Sequence, residues 1–248
     1  TKINLLLCWK KPNPNLMSFL DKYNNGQTLL IDKDLDWTSF DVVKKIKNII
    51  KCKKVGHAGT LDPLATGLLI ICTGKNTKKI NDIQNQDKVY TGEFILGKST
   101  PSHDLETEFN SQKDIKNITS DRIEEVSKRF VGEQLQRPPK FSAVKVNGKR
   151  AYEYARDNEE VKIKEKNINI YEFKITEFNL PNLSFKISCT KGTYIRSIAR
   201  DFGEKLGCGA VLSKLRRTEI GNYNVEDAFK VNDLADKLKK EKIESNNW

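Results

Sequence analysis

The residues best suited to chemistry share one stretch, Gly56-His-Ala-Gly-Thr-Leu-Asp62-Pro-Leu-Ala-Thr-Gly67. A carboxylate and an imidazole stand there among three glycines and a proline. Asp62 has the chemistry of a nucleophile or a general base, although an Asp before Pro in a glycine-rich loop ordinarily forms a turn. A lone His such as His57 is ordinarily structural. The glycines suggest a phosphate cradle, but the G-x-x-x-x-G-K-[ST] pattern is missing and nucleotide hydrolysis loses its support. A glycoside hydrolase would need a second acid carboxylate that this stretch does not supply. Only His57 and His103 carry imidazoles, and Cys8, Cys52, Cys72, Cys189 and Cys208 form no C-x-x-C pair. Neither a metal site nor a disulfide framework is signalled.

These residues must be positioned by regular elements. Gln27 to Asp32 is a β-prone run, and Thr38 then offers a helix N-cap with Asp41 three residues on. Phe40, Val43, Ile46 and Ile50 recur at helical spacing, which leaves Lys44, Lys45, Lys47 and Lys51 outward. The Asp62 stretch reads as a tightly turned loop from Lys54 to Gly67, followed by a buried strand from Leu68 to Cys72. Lys88 to Leu96 is β-rich, and Ser120 to Phe130 carries helix-spaced Ile123, Val126 and Phe130 behind a Thr119 or Ser120 cap. Ile168 to Phe178 and Leu183 to Cys189 are expected to pair as strands, the second by strict alternation. Lys191-Gly192-Thr193 is a turn, and Ile195, Ile198, Ala199, Phe202 and Leu206 mark the clearest helix, ending at Gly207. Strands and helices mix without regular βαβ alternation, so the fold class is α/β of the α+β type, with a mixed, largely antiparallel sheet.

Composition narrows the partners. Forty-four Lys and Arg against 33 Asp and Glu leave a net charge of +11, enough to make a polyanion the first partner to consider. Leu5 to Trp9 is too short for a membrane span or a signal core, and the odd cysteine count suits a reducing compartment. A cytoplasmic protein with no membrane attachment and no metal is expected. Met17 is the single methionine and residues 1–16 are unpatterned, so translation is expected to start at Met17.

The Asp62 stretch closely resembles the signature of the TruB family of tRNA pseudouridine synthases. Further similar segments follow in the family's order: Gly74-Lys-Asn-Thr-Lys78, Lys88-Val-Tyr90, Pro138 to Arg156, Lys191-Gly-Thr-Tyr-Ile-Arg196, Gly203-Glu-Lys-Leu-Gly207 and Leu215-Arg-Arg217. The resemblance spans about Gln27 to Val225. It implies a pseudouridine synthase fold, a central sheet flanked by helices, and a thumb insertion at about 136–160. It also implies a monomeric enzyme that needs no cofactor. The reaction breaks the N1–C1′ bond of uridine 55 in the tRNA T loop, turns the base and rejoins it through C5. Asp62 is then the catalytic carboxylate, acting either on C1′ as a nucleophile or on a C2′ proton. Arg196 pairs with it, and a cation there favours the ionised carboxylate. Tyr90 stacks on the uracil, Tyr194 and Leu215 line the same pocket, and His57 fills the gap left by the extruded base, whose extrusion costs a few kcal/mol. Lys78 belongs to the substrate-binding set. In the thumb, Lys145, Lys149, Arg150 and Arg156 are available for phosphates.

The chain departs from the family pattern in places. Asp34 follows Lys33 where a proline is usual, and Pro101 and His103 interrupt Thr100-Pro-Ser-His-Asp-Leu-Glu106. Barely two dozen residues follow Val225, too few for the added RNA-binding domain that many members carry. The expected organisation is an extension over 1–26, a catalytic domain over 27–230 and a charged tail over 231–248. A non-catalytic RNA-binding or tRNA-folding protein on the same scaffold is the alternative, and the net charge suits it equally.

Overall fold

The computed structural model describes residues 18–157 and 159–246; Met17 and the segment before it lie outside the described residues. The first third holds α1 (Phe19–Asn25), β1 (Thr28–Lys33), α2 (Ser39–Ile50), β2 (Val55–His57), β3 (Ala65–Thr73), α3 (Ile80–Asn85) and β4 (Lys88–Leu96). Then come β5 (Lys98–Ser99), β6 (Ser111–Gln112), α4 (Ser120–Lys128), β7 (Gly132–Gln136), β8 (Lys145–Val146), β9 (Lys149–Arg150) and α5 (Ala151–Arg156). Last are β10 (Lys166–Asn179), β11 (Asn182–Cys189), α6 (Ile195–Leu206), β12 (Ala210–Ile220), β13 (Tyr223–Asn224), β14 (Phe229–Lys230) and α7 (Val231–Asn246).

Among the described residues, one sheet runs in the order β14-β1-β3-β12-β4-β11-β10-β7, with β2 paired to β3 and β13 to β12. β1 with β14 and β3 with β12 are parallel, and the remaining pairs in this sheet are antiparallel. The architecture is thus the mixed, largely antiparallel sheet with flanking helices that the pattern of elements predicts.

Two hydrophobic cores share one face of the sheet. One joins β4, β10 and β11 to α4 and α6, and the other joins β1 and β3 to α1, α2 and α7. Leu215 on β12 packs against both, which places it at the seam. The opposite face of β3, through Leu68, Ile70 and Cys72, packs on Ile83, Ile220 and Val225. A strand buried on both faces explains its unbroken apolar run.

Thr38 caps α2 as expected, with both halves of a capping box formed with Asp41. The apolar face is shifted, however. Phe40 is 69% exposed and Val42 is buried, because Ser39 turns inward to meet the Asp62 loop and carries Val42, Val43, Ile46 and Ile50 to the core. The stretch from Lys54 to Gly67, expected as loop throughout, begins as β2 and ends within β3. Its first residues pair with the end of β3, and its last pair with β1 and with β12, far along the chain, where local sequence gives no warning.

The two ends also join the core. Phe19 and Tyr23 of α1 are buried, as are Val231, Leu234, Ala235 and Leu238 of α7. The stretches expected as an extension and a charged tail therefore each lend a helix to the α2 side. The thumb carries a β8–β9 hairpin and α5, with Arg150 Nη1 donating to the Ala143 carbonyl at 2.8 Å.

Candidate active site

Asp62 sits on the turn between β2 and β3, and its carbonyl accepts from Ala65 N at 3.0 Å. Buried side chains from distant elements hold this turn by its backbone. Ser39 Oγ accepts from Leu61 N at 2.9 Å and donates to the Leu61 carbonyl at 3.2 Å. Lys33 Nζ donates to the carbonyls of Asp34, Trp37 and Pro63 at 2.9, 2.7 and 3.3 Å. Burial pulls the Lys33 ammonium down to about 8, against the raising charges of Asp62 and Asp34. Asp36 N reaches the Pro63 carbonyl at 3.0 Å, so the β1–α2 turn is stitched to the Asp62 turn without the usual proline. From the other side, Arg217 on β12 donates through Nε to Leu68 O at 2.8 Å and through Nη2 to Gly59 O at 3.0 Å. Gly67 lets β12 come this close: a Cβ there would lie 2.3 Å from the Arg217 carbonyl oxygen, and its φ is +100°.

The carboxylate itself is 43% exposed and meets Arg196 Nη2 at 2.9 Å, while the Arg196 side chain is only 5% exposed. Arg196 Nε faces the Asp104 carboxylate at 3.5 Å, and that side chain is 7% exposed. One guanidinium thus bridges a buried carboxylate and an open one. Its third nitrogen, Nη1, is buried with no protein acceptor. A buried donor without a partner is costly, and here it stands beside the one carboxylate that faces solvent.

Asp62 opens into a depression shared with Leu64, Ala65, Asp104, Leu212 and Leu215. Tyr90 is buried on β4, opposite Arg217 in the strand register. Burial pushes the Tyr90 phenol up, Arg217 pulls it down, and the Asp62 charge reaches it and raises it further. Tyr194 precedes α6, with its backbone N–H held by Gln136 Oε1 at 2.8 Å and Lys166 Nζ 4.3 Å from its ring centroid. Burial raises its phenol too, and the Asp62 charge adds to the shift. The structure therefore gathers Asp62, Arg196, Tyr90, Tyr194 and Leu215 at the seam between the two cores.

The other predicted residues lie further off. His57 ends β2, five residues from Asp62 and so at most about 18 Å away. It is half-buried, Nδ1 has no protein partner, and burial lowers its pKa. Lys78 is exposed on a short 3-10 turn (Gly74–Lys79) beyond the far end of β3, roughly 25 Å from Asp62 at about 3.3 Å per strand residue. Lys145 and Arg156 are exposed in the thumb, with Arg156 stacked 5.3 Å from the Tyr152 ring centroid. Lys149 is engaged within the thumb, at 2.6 Å from Asp157 and 3.7 Å from Glu159, and Arg150 is bound to Ala143. Those two are less free for phosphates than the sequence suggests.

Asp104, Lys33, Arg217 and Lys166 escaped the sequence reading. Asp104 and Lys33 flank departures from the family pattern, and Arg217 lies in the Leu215-Arg-Arg217 segment, but burial and bonding partners are three-dimensional facts. Beside the site, a groove of about 1280 Å³ runs between the thumb base and the 99–113 loop, with His103, Arg137, Lys140 and Arg200 on its walls. His103 lines this groove and its neighbour Asp104 lines the Asp62 depression, so one residue step separates the two hollows.

Comparison with known proteins shows which proteins this chain is similar to. The family model described as TruB family pseudouridylate synthase (N terminal domain) matches residues 47–195, and the tRNA pseudouridylate synthase B C-terminal domain matches residues 196–246. A tRNA pseudouridine synthase B of Flavobacterium johnsoniae is 50% identical over 218 residues, covering 85% of this chain and 95% of the relative. One from Chloroherpeton thalassium is 50% identical over 222 residues, covering 87% and 92%. Among solved structures, a chain of a Cbf5-Nop10-Gar1 complex superposes with a TM-score of 0.68 at 26% identity over 94% of this chain. A chain of an H/ACA RNP bound to a substrate RNA containing 2′-deoxyuridine gives 0.64 at 26% identity over 91%. This chain spans 65% and 59% of those two chains.

Proposed function

The chain belongs to the TruB family of pseudouridylate synthases and is a tRNA pseudouridine synthase, and from that premise we propose that it converts uridine 55 of the T loop with Asp62 as its catalytic carboxylate. The observation that carries this reading is the Asp62–Arg196 pair at 2.9 Å, open to solvent only on the carboxylate side. An isomerisation that breaks N1–C1′ and forms C5–C1′ consumes nothing else. It needs one carboxylate at the ribose, a cation to hold and aim that carboxylate, and an apolar surface for the turning base. Asp62, Arg196 and the Tyr90, Tyr194 and Leu215 set supply these in one place.

The target base must first leave the T-loop stack. His57, whose pKa is lowered by burial, ends β2 five residues before Asp62, and its imidazole is assigned to the vacated stack. Lys78 continues the line away from Asp62, and the exposed Lys145 and Arg156 reach the RNA from the thumb. RNA of this kind is read by shape and by its splayed loop bases.

The test is conversion of an unmodified tRNA transcript by wild type and by Asp62→Asn, with pseudouridine mapped along the whole RNA. Wild type is expected to modify position 55 and the variant nothing. Turnover by the variant ends the catalytic assignment. Modification by wild type at another uridine ends the site assignment and leaves the enzyme class intact.

A further inference from the structure

We infer that the exposed flank of α2 is an RNA-binding track, in which Phe40 stacks on an unpaired base beside the catalytic turn and Lys44, Lys47 and Lys51 follow the phosphate backbone away from it. The inference rests on the proposed function for its substrate and adds a contact surface outside the Asp62 pocket.

Phe40, Lys44 and Lys47 stand at i, i+4 and i+7, which puts them on one stripe of the helix, Lys51 follows as the left-handed C-cap at its end, and all four are exposed. The stripe is about 16 Å long at 1.5 Å per residue. A 69% exposed Phe next to a buried Ser is costly in water, and a single such residue needs no explanation. A Phe that begins a row of three lysines, one residue from the serine that holds the catalytic turn, has the composition of a single-strand nucleic-acid surface. Such surfaces join an aromatic stacking platform to a cationic path.

The position of the stripe supports the same occupant. The opposite flank of α2 is taken by α7, where Lys45 Nζ meets Asn232 Oδ1 at 2.6 Å and Lys242 Nζ meets the Ile49 carbonyl at 3.3 Å. α7 itself lies toward β14 and β1, at the outer edge of the sheet. The Phe40 stripe lies on the flank away from α7, and Phe40 adjoins Ser39, which holds the Asp62 turn through Leu61. Its charge is unspent. Some lysines elsewhere are paired, as Lys186 is with Glu172 at 3.2 Å and Lys230 with Asp32 at 2.8 Å, and others, such as Lys78 and Lys145, are exposed like this row. No ion pair within 4.0 Å forms at Lys44, Lys47 or Lys51 among the described residues. The nearby acid, Asp41, is committed to the Thr38 cap.

The experiment measures affinity for a T-arm hairpin across a salt series. The probe proteins are wild type, Phe40→Ala, a Lys44→Gln/Lys47→Gln/Lys51→Gln triple, and a Lys237→Gln/Lys239→Gln/Lys240→Gln control on α7 that removes equal charge. The stripe triple is expected to flatten the slope of log affinity against log salt by about two to three units. The α7 control should flatten it by less than one unit. Phe40→Ala should weaken binding roughly tenfold at every salt concentration and leave the slope unchanged. Equal slopes for the two triples, or unchanged affinity in Phe40→Ala, overturn the track. So does a stripe that binds an acidic protein and leaves RNA affinity untouched. Pseudouridine formation by wild type on the same hairpin, scored in parallel, separates failure of the track from failure of the proposed function.

Discussion

Replacing Arg196 by Met removes the cation between two carboxylates that differ in exposure, and the structure predicts an unequal response. The Asp104 side chain is 7% exposed with Arg196 Nε at 3.5 Å. Left alone, it is a buried charge without a partner, which costs about 3–5 kcal/mol. Asp62 is 43% exposed, so water takes over from the guanidinium and its share is at most about 1 kcal/mol. For a chain of this size the melting temperature should fall by roughly 10 °C. Adding Asp104→Asn neutralises the orphaned charge and keeps the oxygen that accepts from Glu106 N at 3.0 Å. About 2–3 kcal/mol should then return. Activity should not return, because Asp62 has still lost the group that aims it, and a displacement of about 1 Å is worth around a hundredfold in rate. Urea unfolding of the two single variants and the double variant gives the coupling energy, and pseudouridine mapping gives the rates. A double variant no more stable than Arg196→Met, or one with wild-type turnover, refutes the division of labour between the two carboxylates.

Three further outcomes follow from buried groups. Burial first, then Arg200 and Arg196, pushes the His103 imidazole down to about 4. Between about pH 4 and 6.5 the unfolded chain therefore binds the extra proton, so stability falls by up to about 3 kcal/mol as pH drops through that window. His103→Asn, which tolerates the φ of 65° there, should flatten that limb in urea midpoints taken from pH 4 to 7; an unchanged limb shows that other groups cause it. Lys33→Met leaves the Asp34, Trp37 and Pro63 carbonyls without their donor and should cost about 2–4 kcal/mol. Faster amide exchange at residues 59–65 is the matching signal, and unchanged exchange would show that the turn does not depend on Lys33. Gly67→Ala drives a methyl against the Arg217 carbonyl from a positive φ and should cost about 3 kcal/mol or more, read as a lost or strongly lowered melting transition; a near-wild-type melt would mean that β3 and β12 can part without penalty.

The sequence by itself determined the elements whose signals are local. Thr38 and Asp41 sit within one helical turn, so their capping box is written in adjacent residues, and the alternation from Leu183 to Cys189 is the buried face of β11. The Asp62 and Lys191 to Arg196 strings identified the family, because unbroken motifs survive as text. Only the tertiary structure decided what brings them together. Asp62 and Arg196 are 134 residues apart in the chain and meet because β3 and β12 pair in parallel and Leu215 closes the seam between two cores. Asp104 and Lys33 look like surface charges in the sequence, and α7 looks like a solvated tail, until packing buries them. Periodicity and capping act over a few residues, so they can be read along the chain. Desolvation and ion pairing depend on which distant groups a side chain meets, and no local pattern encodes that.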